Sequence, residues 1–173
     1  MVILKKFHVL ATFALIALLV QHAAPAHALD PAKGEVILTV SGAISSTNKK
    51  DFAEFDAIML EDIGTVTFET STVWTEGVQT FTGVELGALL KALGVQGGQL
   101  RASAVNDYAV DIPVSDAIEG GPIIAYQRNG ERMTLRDKGP LWIVYPYDRL
   151  NEYQSELIYS RSIWQLNRIE VVP

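Results

Sequence analysis

Apolar positions along the chain recur with two different periods, and each period predicts an element. Glu35-Val-Ile-Leu-Thr-Val40 is rich in β-branched and aliphatic residues and stops at Ser41-Gly42, so it reads as a first strand. Phe52, Phe55, Ile58 and Met59 recur at helical spacing after Asn48 and Asp51, and Gly64 follows, which predicts a short amphipathic helix. Residues 65–72 alternate and read as a strand. Thr82-Gly-Val-Glu85 has the form of a capping box, in which the hydroxyl accepts from a backbone N–H and the glutamate reaches back. Leu86, Leu89, Leu90 and Leu93 then supply one helical face, and Gly94 supplies the stop.

The second half favours strands. Residues 100–105 and 108–112 flank Asn106-Asp107, a turn pair. Ser115 is placed to cap a short helical turn. Residues 122–128 and 131–135 flank Asn129-Gly130, whose tolerance of positive φ marks a tight hairpin. Residues 141–145 are densely apolar and predict a buried strand. Residues 147–160 are polar and irregular. Ile163, Trp164 and Leu166, then residues 169–172, form a last strand. Strands with a few short helices, outside simple βαβ alternation, predict an α+β fold. No repeat or low-complexity tract interrupts residues 29–173, which are expected to form a single domain.

The N-terminus changes the charge balance. Lys5 and Lys6, the strongly apolar stretch from Val9 to Val20, and Ala26-His27-Ala28 follow the pattern of a cleaved secretory leader over residues 1–28. The apolar stretch is shorter than a membrane span requires. Export, to a bacterial periplasm, is therefore the expectation, with no membrane span once the leader is removed. All three histidines lie in this leader. The remaining residues have neither Cys nor His and carry 20 acidic against 12 basic side chains. Disulfides, thiolate nucleophiles, imidazole catalysis and the usual zinc, copper and iron–sulfur ligands are thereby excluded. Net acidity disfavours a nucleic acid partner. The charge is uneven: residues 29–119 hold 14 acids and 5 bases, residues 120–173 hold 6 and 7, so the C-terminal third can present a local basic pocket in an acidic chain.

The candidate chemistry is sparse. Arg136 and Lys138 precede Gly139-Pro140 and a buried strand; cations on such a turn suit a phosphate or carboxylate, and equally suit a solvated pair around Asp137. Arg161 is read in the same two ways. Asn106, Asp107 and Tyr108 sit at a turn between strands, where Asn and Asp are turn formers, and the three would serve a ligand if a cleft lies behind them. Trp74, in the polar segment 71–77, either marks a binding surface or caps the core. Glu69, Glu76 and Asp107 are the nearby carboxylates, and no spacing pairs them for acid–base work.

The order of Val40-Ser-Gly42, Thr67-Phe-Glu-Thr-Ser-Thr-Val-Trp74, Phe81-Thr-Gly-Val-Glu-Leu86 with Leu89-Leu90, Ala104-Val-Asn-Asp-Tyr108, Ile124-Ala125, Asn129-Gly130, Gly139-Pro-Leu-Trp-Ile143 with Pro146, and Ile163-Trp-Gln-Leu166 with Ile169 resembles the molybdopterin-binding domain of the sulfite oxidase family in a small exported form. The resemblance covers nearly all of residues 35–172. It implies an α+β domain with a mixed sheet, and a molybdenum held by a pterin dithiolene and one cysteine thiolate. The thiolate position falls close to Thr70 or Ser71, and Arg136, Lys138 and Arg161 fall on the family's anion-binding side. With no cysteine in the chain, the expectation is a module without molybdenum. Its cleft would draw on Thr70, Ser71, Trp74, Asn106, Asp107, Tyr108, Arg136, Lys138 and Arg161. It would bind a small anionic or pterin-like ligand, or dock on a membrane sensor or redox partner. The alternative is a molybdopterin-dependent oxidoreductase with a hydroxyl or water at the metal. A carboxylate-based enzyme is a third, more distant option.

Overall fold

The computed structural model describes residues 29–173; the leader expected over residues 1–28 lies outside the described residues. Ten strands form one mixed sheet: β1 (Leu38–Gly42), β2 (Phe52–Phe55), β3 (Val66–Ser71), β4 (Val78–Glu85), β5 (Gln99–Ala104), β6 (Ala109–Pro113), β7 (Ile123–Arg128), β8 (Glu131–Arg132), β9 (Leu141–Val144) and β10 (Trp164–Val172). Three short helices accompany them, α1 (Ala57–Ile63), α2 (Leu86–Ala92) and α3 (Glu156–Arg161). The main order is β2-β1-β10-β9-β7-β4-β3, with β5 joining β10 to β6 and β8 beside β7. Among the described residues only the β1–β10 pair is parallel.

Alternation explains most of the strands. Leu38 and Val40 of β1, and Leu100, Ala102 and Ala104 of β5, point into the core while their neighbours do not. All four residues of β9 are buried, as the dense apolar run predicts. In β10 the buried positions are Leu166, Ile169 and Val171, an odd step that a pure alternation forbids. The register against β5 shifts between Leu166 and Arg168, so a bulge resets the phase there. Leu86, Leu89, Leu90 and Leu93 bury the face of α2 as their spacing predicts.

Several elements differ from their predicted form. The first strand begins at Leu38 rather than Glu35. Phe52 and Phe55 belong to β2, paired with β1, and the helix starts only after Asp56. The Asp56 carboxylate accepts from the N–H of Met59 at 2.9 Å and from those of Lys33 and Gly34 at 2.8 Å, which caps α1 and anchors the incoming chain. These backbone donors hold its carboxyl below the usual aspartate range, Met59 most strongly. The capping box at Thr82–Glu85 does not form. Both residues lie in β4, which pairs with β3 and β7; Thr82 Oγ1 meets Thr67 Oγ1 at 2.9 Å, and Glu85 accepts from the Gly120 N–H at 3.0 Å. Pairing on both sides outcompetes a local cap. Ser115 sits inside a 3-10 turn, Val114–Asp116, whose N-cap is Pro113. The polar stretch expected to be irregular contains α3, capped by the Ser155 hydroxyl.

Candidate functional site

Three tryptophans converge where β9, β10 and the loop after β3 meet. Trp74, half-buried, packs edge-on against Trp164 at 5.5 Å between ring centroids, Trp142 at 5.8 Å, Tyr159 at 5.8 Å and Tyr147 at 6.2 Å. The loop tryptophan thus packs against the core and also lines a cleft of about 360 Å³. Trp164 and Gln165 from β10, Tyr159 from α3, and Asn106 and Tyr108 from the β5–β6 turn complete its principal lining. No charged side chain is among the residues that line it.

Local sequence explains how these groups are aimed. Asn106 Oδ1 accepts from the Tyr108 N–H at 3.2 Å, and Asp107 takes positive φ, the behaviour expected of an Asn-Asp turn. That geometry leaves Tyr108 exposed at the cleft mouth. Asp107 faces away and pairs with Arg168 at 2.6 Å. Gln165 takes positive φ in β10; its N–H donates to the Lys138 carbonyl and its side chain donates to the Leu135 carbonyl. This ties the turn carrying Arg136 and Lys138 to the cleft wall. Lys138 Nζ lies 4.0 Å from the Trp164 centroid and 5.5 Å from that of Trp142.

The nine candidates of the sequence therefore separate. Trp74, Asn106 and Tyr108 line the cleft, and Lys138 stands against its tryptophan wall. Arg136 is exposed on the 3-10 turn Leu135–Asp137 and is not among the lining residues. Arg161 is turned inward to Asp116 at 2.9 Å, and Asp116 also accepts from the Tyr145 hydroxyl at 2.8 Å. Burial, with Asp116 beside it, pushes the Tyr145 phenol up, so it stays neutral as a donor. Tyr159, Ser160, Ser162 and Gln165 line the cleft without having been singled out. A recognised α3 was the signal that would have placed the first three.

Thr70 and Ser71 form a neighbouring arrangement. Thr70 is fully buried; its hydroxyl accepts from the Asp148 N–H at 3.1 Å and donates to the Ser71 carbonyl at 3.3 Å. Ser71 donates to the Asp148 carboxylate twice, from its N–H at 2.5 Å and from its hydroxyl at 2.6 Å. These donors, the Ser71 hydroxyl first, hold the Asp148 carboxyl below its usual range. Ser71, Asp148 and Tyr159 edge a smaller hollow of about 150 Å³. Tyr159 is common to this hollow and to the aromatic cleft.

A family model described as oxidoreductase molybdopterin binding domain matches residues 33–150. No curated protein matches the chain closely enough to add a relative to that finding. The donor set does not fit the metal half of the group this description implies. The chain has no cysteine, both hydroxyls near the expected thiolate position are engaged with Asp148, and a hydroxyl is a poor ligand for a soft, sulfur-rich centre. Among the described residues no group of three or more His, Cys, Asp or Glu side chains is placed to hold a metal ion.

Proposed function

The chain belongs to the molybdopterin-binding oxidoreductase domain family, and from that premise we propose that it is an exported member that works without molybdenum, as a small-ligand-binding or accessory module. One pairing of facts carries this reading: a formed aromatic cleft stands beside a strand end that offers only committed hydroxyls in place of a thiolate. Fold membership alone licenses no activity. The cleft offers what a small-ligand site needs, a concave and largely apolar lining with a few amide and hydroxyl groups to fix orientation. The periplasmic setting rests on the leader pattern of residues 1–28.

The test is elemental. The protein is purified from a host that makes the cofactor, and molybdenum and pterin are measured per chain. The expected result is molybdenum far below one atom per chain, together with thermal stabilisation by a small ligand. A ligand at one hundred times its Kd adds ~2.7 kcal/mol. Near-stoichiometric molybdenum refutes the reading. It would favour the second one, a molybdopterin-dependent oxidoreductase with a metal site free of cysteine, for which the family match itself speaks.

A further inference from the structure

Among the described residues β2, β3, β6 and β8 are paired on one side only. Three of these edges are guarded. β8 is just Glu131 and Arg132, both charged and exposed. β6 ends in Pro113, which has no N–H, and α3 packs beside it. At β2 the Asn48 amide holds both backbone groups of Glu54, donating to its carbonyl at 2.8 Å and accepting from its N–H at 2.8 Å. Such devices keep a sheet edge from pairing with another chain. β3 is the exception. It has six residues, pairs with β4 alone and without a register shift, and contains no Pro, Lys or Arg.

The neighbouring strand shows which backbone groups of β3 face outward. Thr80 lies opposite Glu69; its N–H donates to the Asn129 side chain at 2.9 Å and its carbonyl accepts from the Asn129 N–H at 2.7 Å. Thr80 therefore bonds away from β3, and Glu69 opposite it points its own N–H and C=O away from β4. Two residues earlier, Thr67 has the same phase, with its hydroxyl 2.9 Å from that of Thr82 across a close pair. Ser71 shares the phase too, and its N–H is taken by Asp148. That leaves the N–H and C=O of Thr67 and Glu69, to which no described residue bonds on that side. Both residues are exposed, and Phe68 between them is half-buried on the core face of the edge.

We propose that β3 is the interface of a homodimer, pairing antiparallel with β3 of a second copy about a two-fold axis at Phe68. The pattern of the strand selects this occupant and this register. Thr67 then lies opposite Glu69 of the second copy and Glu69 opposite its Thr67, so every outward N–H and C=O of these residues finds a partner. Each Glu69 carboxylate faces a threonine, and Phe68 faces Phe68 in a close, non-hydrogen-bonded pair, where aromatic side chains stabilise a sheet. An axis at Glu69 would set two carboxylates directly opposite each other, which is destabilising. An axis at Thr67 would place Glu69 against Thr65, before the strand begins. Contacts limited to one strand fall short of the ~1,200–2,000 Å² of stable interfaces, so the dimer is reversible and depends on concentration. Nothing in this pairing depends on the cleft.

The experiment is sedimentation velocity of the purified protein from about 1 µM to about 1 mM, the range in which a small interface associates. The expected result is a shift from one chain to two as concentration rises. Glu69→Pro removes an N–H that bonds to nothing within the chain, at an edge position where proline is tolerated, and should stay monomeric throughout with its circular dichroism unchanged. Cross-linking gives a second readout that stands even if Glu69→Pro fails to fold, because residues 29–173 have no cysteine and one introduced thiol reports alone. Under a mild oxidant Phe68→Cys should form a disulfide dimer at least about tenfold faster than Glu69→Cys, since only position 68 meets itself across the axis. Random collision predicts the reverse order, because position 69 is the more exposed. A protein that stays monomeric at the highest concentration, a dimer that a folded Glu69→Pro leaves intact, or cross-linking no faster at 68 than at 69 overturns the proposal.

Discussion

Asp148 joins the end of β3 to the loop that follows β9, across 77 positions of sequence, and removing its carboxylate measures what that junction is worth. In Asp148→Ala both hydrogen bonds from Ser71 are lost, while the backbone N–H of residue 148 can still donate to Thr70. Hydrogen bonds to a charged acceptor contribute about 1.5–3 kcal/mol each when sheltered. Asp148 is exposed, so water competes and each bond is worth closer to ~0.5–1 kcal/mol. The expected cost is about 1–2 kcal/mol, or roughly 2–8 °C in Tm for a domain of this size. Urea unfolding followed by tryptophan fluorescence suits the question, because Trp74 lies three residues beyond Ser71. The pH dependence gives an independent check. The carboxyl is held below its ordinary value in the folded state, so its stabilisation is fully present above the unfolded aspartate value near ~3.9 and is lost as pH falls through the lower native value. The gap between wild type and variant should therefore be widest at neutral pH and close in acid. A gap under about 0.3 kcal/mol at neutral pH, or one unchanged by acidification, contradicts the role given to this carboxylate.

Other outcomes follow from the same structure. Leu89→Ala empties a fully buried position on α2 and should cost ~2–5 kcal/mol in urea unfolding; a cost near zero would mean that this helix does not face the core. Asp56→Ala removes the cap of α1 and its hold on Lys33 and Gly34, for about 2–3 kcal/mol by the same assay. That difference should also shrink in acid, since Asp56 too is held below its ordinary value. Mass spectrometry of protein recovered from the periplasm should show a chain that begins at Leu29; an intact leader on the recovered protein contradicts the cleavage expected after Ala28.

Where one physical cause dominates a segment, the sequence reveals it. The α2 leucines, the Asn-Asp and Asn-Gly turns and the run of β9 are each governed by burial period or turn chemistry, and each lies where expected. β4 is hidden because Thr82 and Glu85 satisfy a local capping rule that its two strand neighbours overrule. α3 is hidden because only Ile158 of its six residues is buried, which leaves little apolar period to read. The cleft is half legible for the same reason. Trp74, Asn106 and Tyr108 stand out as residue types, whereas Tyr159 and Gln165 depend on α3 and on an irregular strand. Arg161 shows the opposite failure: a cation before an aromatic pair looks free in sequence, but the fold gives it Asp116.

β10 pairs with β5 along one edge and with β1 and then β9 along the other, and its partners come from the start, the middle and the end of the described chain. Thr39 meets Arg168, a closure over almost the whole length of the domain. Such a topology delays its most rewarding contacts until the loop-closure entropy of a long chain has been overcome, which slows folding relative to a locally paired sheet of equal stability. A ribosome-bound fragment ending before Trp164 would hold three strand groups, β1–β2, β5–β6 and β3–β4–β7–β8–β9, with no strand to join them. Assembly of this domain should therefore be a late, all-at-once event, visible as protease resistance that appears only once the final strand has been made.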